Sequence, residues 1–166
     1  MEEEKEIIGF DIDGVVATSS GILDFLARKV QHYYVFLLFL NCLMETPLGA
    51  FLYQKRKANK VVIKEIKNLH DEGFYILFIS AIFQHHQEKV EKWLKKNQVP
   101  FDGLILQKKE ESLVSFKTRA LMQTKNLVIY LDDDARLVKA ININIAVPRA
   151  KAVHYSGQVL SFPPVT

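Results

Sequence analysis

Two carboxylates, Asp11 and Asp13, close the apolar run Ile7, Ile8, Gly9, Phe10, and Gly14 follows them. Packing gives no reason for an acid at the end of a buried strand. Side chains two apart on extended backbone point the same way. Such like charges repel unless a cation lies between them. Farther along, Ser80 ends the apolar run "FYILFIS", residues 74 to 80, and Ala81 follows it. Asp132, Asp133 and Asp134 follow "NLVIYL", residues 126 to 131, and Lys117 precedes that run. Carboxylates and a hydroxyl without His or Cys suit a hard cation. Mg2+ fits best, because it takes one or two carboxylates, keeps waters and tolerates phosphate oxygens. The ion and Lys117 together leave room for one more anion, a phosphoryl group.

Charge placement then sets the roles. A carboxylate attacks phosphorus and forms an aspartyl-phosphate. Positioning and neutralised equatorial oxygens carry most of such a reaction. Asp11, at the strand end, is the nucleophile. Asp13 protonates the leaving oxygen and later activates water. Gly14 permits a sharp turn that brings backbone N–H groups near the phosphoryl.

These groups meet only if the chain folds into alternating strands and helices. Residues 60 to 72 place Val62, Ile63, Ile66 and Leu69 on one helical face. Asn59 is placed to cap the start, and Gly73 to end it in the left-handed conformation. Residues 74 to 80 read as a second strand, and 87 to 97 as an amphipathic helix around Val90, Trp93 and Leu94. A third strand over 103 to 106, a helix near 114 to 123 and a fourth strand over 126 to 131 follow. A short helix near 135 to 141 leads to "INIAV", residues 143 to 147, as the fifth strand. Continuous apolar strands separated by helices predict an α/β fold, a Rossmann-like parallel five-stranded sheet covered on both faces. Ligands in such sheets bind beyond the carboxyl ends of the strands. Residues 19 to 58 fit no crossover and read as a small helical insertion after strand one. The core is then 1 to 18 and 59 to 166.

The chain has 166 residues, enough for one domain with a small insertion. A net charge of +3 suits an anionic substrate and is too weak to imply nucleic acid. Cys42 is the only cysteine, which excludes an internal disulfide and a cysteine-based zinc site. The start "MEEEKE" lacks the cationic and apolar regions of a secretion signal, so a cytoplasmic protein is expected. "YYVFLLFLNCLM", residues 33 to 44, is shorter than the ~20 residues a spanning helix needs. It reads as a buried helix or one covering a pocket, with a membrane, lipid or second-subunit contact as the alternative.

The motifs together resemble those of the haloacid dehalogenase-like hydrolases, the aspartate-nucleophile phosphatases. "FDIDGVV" resembles their first motif, and "FISA", with Ser80 and Ala81, the second. "SFKTRAL", with Lys117, resembles the third, and "VIYLDDDARLVKA" the fourth. The likeness runs from about residue 6 to 148, and residues 80 to 106 also resemble the smaller phosphatases of that family. It implies a sheet order 5-4-1-2-3 and a Mg2+ site held by Asp11, the Asp13 carbonyl, and Asp132 or Asp133. It implies that Gly14, Ser80, Ala81 and Lys117 contact the phosphoryl group. The insertion sits where many relatives carry a helical cap, and caps exclude water and choose the substrate. Position 82, where many relatives carry Arg, is Ile82.

Other readings fit these residues less well. A calcium loop needs Gly at its sixth position and Glu at its twelfth, and Val16 and Ile22 stand there. No Gly-Lys-[Ser/Thr] is present, which excludes the phosphate loop of ATPases. His85 and His86 are adjacent, do not share a helical face and are set aside as ligands. The basic run "QKRKANK", residues 54 to 60, reads as a solvated helix end, with a guide for phosphorylated substrates as the alternative. The expectation is a Mg2+-dependent phosphomonoesterase acting on a nucleotide or another small phosphorylated metabolite. A phosphotransferase is one rival. The other is a non-catalytic module docking through residues 33 to 53, a surface that also offers a route to a homodimer.

Overall fold

The computed structural model describes residues 5–18, 41–108, 111–144 and 151–157 of this chain. Strand β1 (Ile7–Phe10) lies at the centre of a five-stranded parallel sheet. β4 (Tyr75–Phe83) and β5 (Gly103–Gln107) flank it on one side. β6 (Leu127–Asp132) and β7 (Lys151–His154) flank it on the other. In sequence order of the sheet strands this is the expected 5-4-1-2-3. Successive residues of β4 face opposite sides. Ile76 and Phe78 join the core under helices α2 (Lys60–Asp71) and α3 (Gln87–Lys96). Leu77 and Ile79 join the core under α4 (Leu113–Gln123) and α5 (Ala135–Asn144). Both faces being covered explains why the strands carry unbroken apolar runs.

The helices follow their predicted faces. Val62, Ile63, Ile66 and Leu69 are the buried residues of α2. The Asn59 side chain accepts from the Val62 N–H, and Gly73 takes φ +99° just beyond the helix end. Trp93 and Leu94 of α3 are fully buried and contribute about 2 kcal/mol or more each by area.

Two elements differ from the sequence reading. The fifth sheet strand is Lys151–His154, not 143 to 147. Ile143 and Asn144 continue α5, and residues 145 to 147 lie outside the described residues. Ile141 faces the core from the helix, whereas Ile143 is 74% exposed. Their spacing imitated a strand. Strand two also runs past Ser80 to Phe83. Its pairing with β5 slips there, Ser80 facing Leu106 and Phe83 facing the next residue, Gln107. Such a bulge bends a strand and re-aims its side chains, here at the rim where Ser80 stands.

The insertion is described from residue 41 onward, so residues 33 to 40 and their aromatics lie outside the described residues. Helix α1 (Pro47–Gln54) is capped by Thr46. A two-stranded antiparallel ribbon frames the insertion, β2 (Ala17–Thr18) pairing with β3 (Lys57–Ala58). Among the described residues, no helix is long and apolar enough to cross a membrane.

Candidate active site

Register builds the site. Phe10 of β1 stands level with Leu131 of β6 and Phe78 of β4. The residues that follow these three positions therefore share one rim. The Asp11 N–H donates to the Leu131 carbonyl at 2.8 Å, which seats Asp11 beside Asp132. Lys117 reaches the same place from α4. Its Nζ donates to Asp11 Oδ1 at 2.8 Å and to Asp132 Oδ2 at 2.5 Å. The Tyr130 hydroxyl lies 2.9 Å from Asp132 Oδ2. A Cβ at Gly9 would stand 3.0 Å from the Tyr130 ring, so Gly9 leaves that ring its room. Asp11, Asp132 and Lys117 are all buried.

The loop after β1 is held by its apolar residues. Ile12, Val15 and Val16 are buried, and the Val16 and Ala17 N–H groups both donate to the Ile12 carbonyl. Gly14 adopts φ +90°, a conformation that favours glycine. A Cβ there would collide with the Asp133 carboxylate. The Gly14 N–H donates to the Ala17 carbonyl at 2.8 Å, which closes the turn. The role of Gly14 in this turn is thus to make space for Asp133.

Carboxylate oxygens of Asp11, Asp132 and Asp133 lie within 4.8 Å of one another. Three acids against one ammonium leave two negative charges, which a divalent cation would balance. The all-oxygen donor set fits Mg2+. Burial, and after it the neighbouring acids, shows in the proton affinities. Burial pushes the Asp11 carboxyl well up, Lys117 opposes it, and Asp132, Asp13 and Asp133 add to it. Desolvation and the Asp132 charge raise Asp133 to about 6. Burial alone would lower Lys117, but Asp11, Tyr130 and Asp132 hold its ammonium well above the ordinary lysine range.

The three acids that begin at the end of β6 take separate roles. Asp132 already accepts on both oxygens, from Lys117 on one and from the Asp134 N–H at 3.0 Å on the other. Asp134 caps α5, accepting from the Arg136 and Leu137 N–H groups. Asp133 leans over Gly14. Ser80 is buried, two residues past the partner of Phe10, and its Oγ lies 3.4 Å from the Ile82 N–H. Ala81 follows it, half-buried.

Asp13 points the other way. Its exposed carboxylate forms an ion pair with Arg56, from the basic run after α1. Arg56 was missed by sequence reading. Lys55, Lys57 and Lys60 are exposed as a solvated run should be, but the Arg56 side chain is only 10% exposed. Its guanidinium lies 3.6 Å from the centre of the Tyr53 ring and 5.1 Å from that of Trp93. The aromatic Tyr53, three residues before Arg56, was the available signal.

Glu45, His85 and His86 form a second cluster of ligand types. The His86 ring nitrogens lie 3.0 Å from the Asn41 carbonyl and 3.3 Å from Lys89 Nζ. Both are engaged, and burial lowers the proton affinity of the ring. With Lys89 donating to the Met44 carbonyl and Asn41 accepting from the Phe83 N–H, His86 clasps the insertion to α3.

A Had-superfamily hydrolase from Ehrlichia chaffeensis superposes with a TM-score of 0.54, covering 96% of this chain and 93% of that one at 13% identity. The chain has the haloacid dehalogenase-like fold. A chain of the Pnkp1/Rnl/Hen1 RNA repair complex shares that fold at a TM-score of 0.63 and 17% identity, covering 95% of this chain and 45% of that one. A class C acid phosphatase from Bacillus anthracis with tungstate bound does so at 0.53 and 20%, covering 79% and 53%. This chain therefore spans about half the length of those two proteins. No protein-family model and no curated protein matches the sequence.

Proposed function

We propose that this chain is a Mg2+-dependent phosphomonoesterase that works through an aspartyl-phosphate on Asp11. The observation that supports it is Lys117 Nζ bridging Asp11 and Asp132 beside Asp133, a rim left two positive charges short. In this reading Asp11, Asp133 and the Asp13 carbonyl hold the ion, and Asp132 fixes Lys117 while lending its charge. The bound ion would neutralise the phosphoryl oxygens. Asp11 attacks phosphorus, with Lys117 keeping its carboxylate in place. Ser80 and the backbone at Ala81 receive the phosphoryl oxygens. Asp13 gives a proton to the leaving oxygen, then takes one from the water that hydrolyses the aspartyl-phosphate.

The substrate is a nucleotide or another small phosphorylated metabolite. The neighbour from an RNA repair complex is reason to include nucleic-acid phosphates in a screen. The test is phosphate release from 4-nitrophenyl phosphate and a phosphometabolite panel with Mg2+. Activity that Asp11→Asn abolishes is the expected result. Turnover surviving Asp11→Asn, or none across the panel, overturns the reading.

A second reading, docking through the insertion, is favoured by Leu48, Phe51 and Leu52 of α1, which are 64%, 57% and 44% exposed. It forecasts concentration-dependent association without turnover, read by sedimentation velocity.

A further inference from the structure

Two buried hydrogen-bond donors near Asp13 have no partner among the described residues. Arg56 spends Nη1 on the Asp13 carboxylate and Nε on the Tyr53 carbonyl at 3.3 Å. Its buried Nη2 has no partner among the described residues, and neither has the buried Tyr53 hydroxyl. Burial raises the proton affinity of that hydroxyl, the neighbouring Arg56 guanidinium opposes this, chiefly by its charge, and the Asp13 and Asp11 carboxylates add to the rise. Tyr53 thus keeps its proton at neutral pH and stays a donor. Stacking on Tyr53 and Trp93 fixes the guanidinium plane, so its free edge does not wander. The two residues are fastened to the core. Gln54 donates to the Lys89 carbonyl at 2.7 Å, and Trp93 Nε1 donates to the Arg56 carbonyl at 3.4 Å.

Buried donors left unpaired are destabilising, and their presence at a catalytic rim marks where an acceptor belongs. The acceptor must carry lone pairs, bring no competing donor and be anionic enough to suit a guanidinium. Lys117 cannot serve it, being spent on Asp11 and Asp132, and β4 offers Ile82, buried and apolar.

We propose that Arg56 and Tyr53 form the insertion's half of the substrate site: the free Nη2 edge and the phenolic O–H bind an oxygen of the phosphate ester, while Nη1 holds Asp13 towards the leaving group. This deepens the phosphomonoesterase reading and rests on it for the role of Asp13. Arg56 acts on chemistry as a positioning residue and on binding directly. The pair makes the insertion part of the site itself, not merely a cover over it.

The test compares wild type with Arg56→Lys and Tyr53→Phe, which preserve charge and ring. Two readouts are taken with Mg2+ present. One is calorimetric binding of inorganic phosphate. The other is KM and kcat on 4-nitrophenyl phosphate, whose leaving group needs little protonation, and on an alkyl phosphate, whose leaving group needs it. Phosphate binding should weaken about tenfold or more in Arg56→Lys and about fivefold in Tyr53→Phe. In Arg56→Lys, kcat should fall more on the alkyl ester than on the aryl ester, whereas Tyr53→Phe should move KM. A merely structural clamp would instead lower the melting temperature and leave phosphate binding and the ester ratio unchanged, which overturns the proposal. Wild type that binds no phosphate overturns it too. If wild type binds phosphate but turns nothing over, the phosphomonoesterase reading falls, and weakened binding in the two variants still upholds the anion site.

Discussion

Lys117 and Arg56 are both cations set against a rim acid, and both are largely removed from water, with side chains 3% and 10% exposed. Lys117 comes from a core helix and is flanked by Asp11, Asp132 and the Tyr130 ring, whose centre lies 5.4 Å from its Nζ. Arg56 comes from the tail of the insertion, holds one carboxylate and, among the described residues, keeps one edge unspent. The ammonium on the sheet side is spent on its two acids before any ligand arrives. The guanidinium on the insertion side is spent only in part. Phosphoryl transfer rewards charges that need no rearrangement, and the sheet supplies them. Recognition rewards groups that gain their partner only when the right ligand binds, and the insertion is suited to that.

The largest effect that could break this contrast is on stability. Lys117→Met leaves Asp11 and Asp132 buried without their counter-charge and should cost about 3–5 kcal/mol in urea unfolding. Arg56→Met, facing the exposed Asp13, should cost well under half of that. Equal losses would erase the distinction between the two cations.

A smaller effect sharpens it through pH. The folded state holds the Asp133 proton up to about 6, whereas the ordinary carboxylate value is 3.8. The folded chain thus binds more protons across that interval than the unfolded chain. Metal-free protein should therefore lose stability as pH rises through the interval. Mg2+ should restore it, by a larger margin at pH 7 than at pH 5. Thermal melts with and without Mg2+ check this, and a metal-free melting temperature that climbs between pH 4 and 6 would contradict it.

The smallest effect separates neighbours. Asp134→Ala removes a helix cap and should cost about 1 kcal/mol with phosphate release intact. Asp133→Asn should abolish release with little loss of stability.

The sequence exposed the sheet rim well, because apolar runs and helix faces are local signals. Val62, Ile63, Ile66 and Leu69 had to share a face, and strands buried on both sides left acids only at their ends. The fifth strand escaped because edge strand β7 mixes Lys151 and His154 with Ala152 and Val153, while α5 ends in alternating isoleucines. Arg56 escaped for another reason. Its burial depends on Trp93, 37 residues away, and on Asp13, 43 residues away in the other direction. The one local hint is Tyr53, three residues earlier, whose ring the guanidinium covers. The division of labour among Asp132, Asp133 and Asp134 was equally hidden, since adjacent identical residues differ only in where the backbone turns.

The ribbon of Ala17–Thr18 with Lys57–Ala58 has a consequence for how such a chain could diversify. It holds the two ends of the excursion about one strand spacing apart, roughly 4.8 Å. Lengthening a loop whose ends are already clamped adds only a logarithmic entropy cost. Homologous chains could therefore swap, shrink or enlarge most of what lies between the clamps without disturbing the acids. Positions 53 and 56 are the exception: grafting a foreign insertion here should keep the hydrolytic rim assembled yet reset which esters it accepts, unless that pair is carried across.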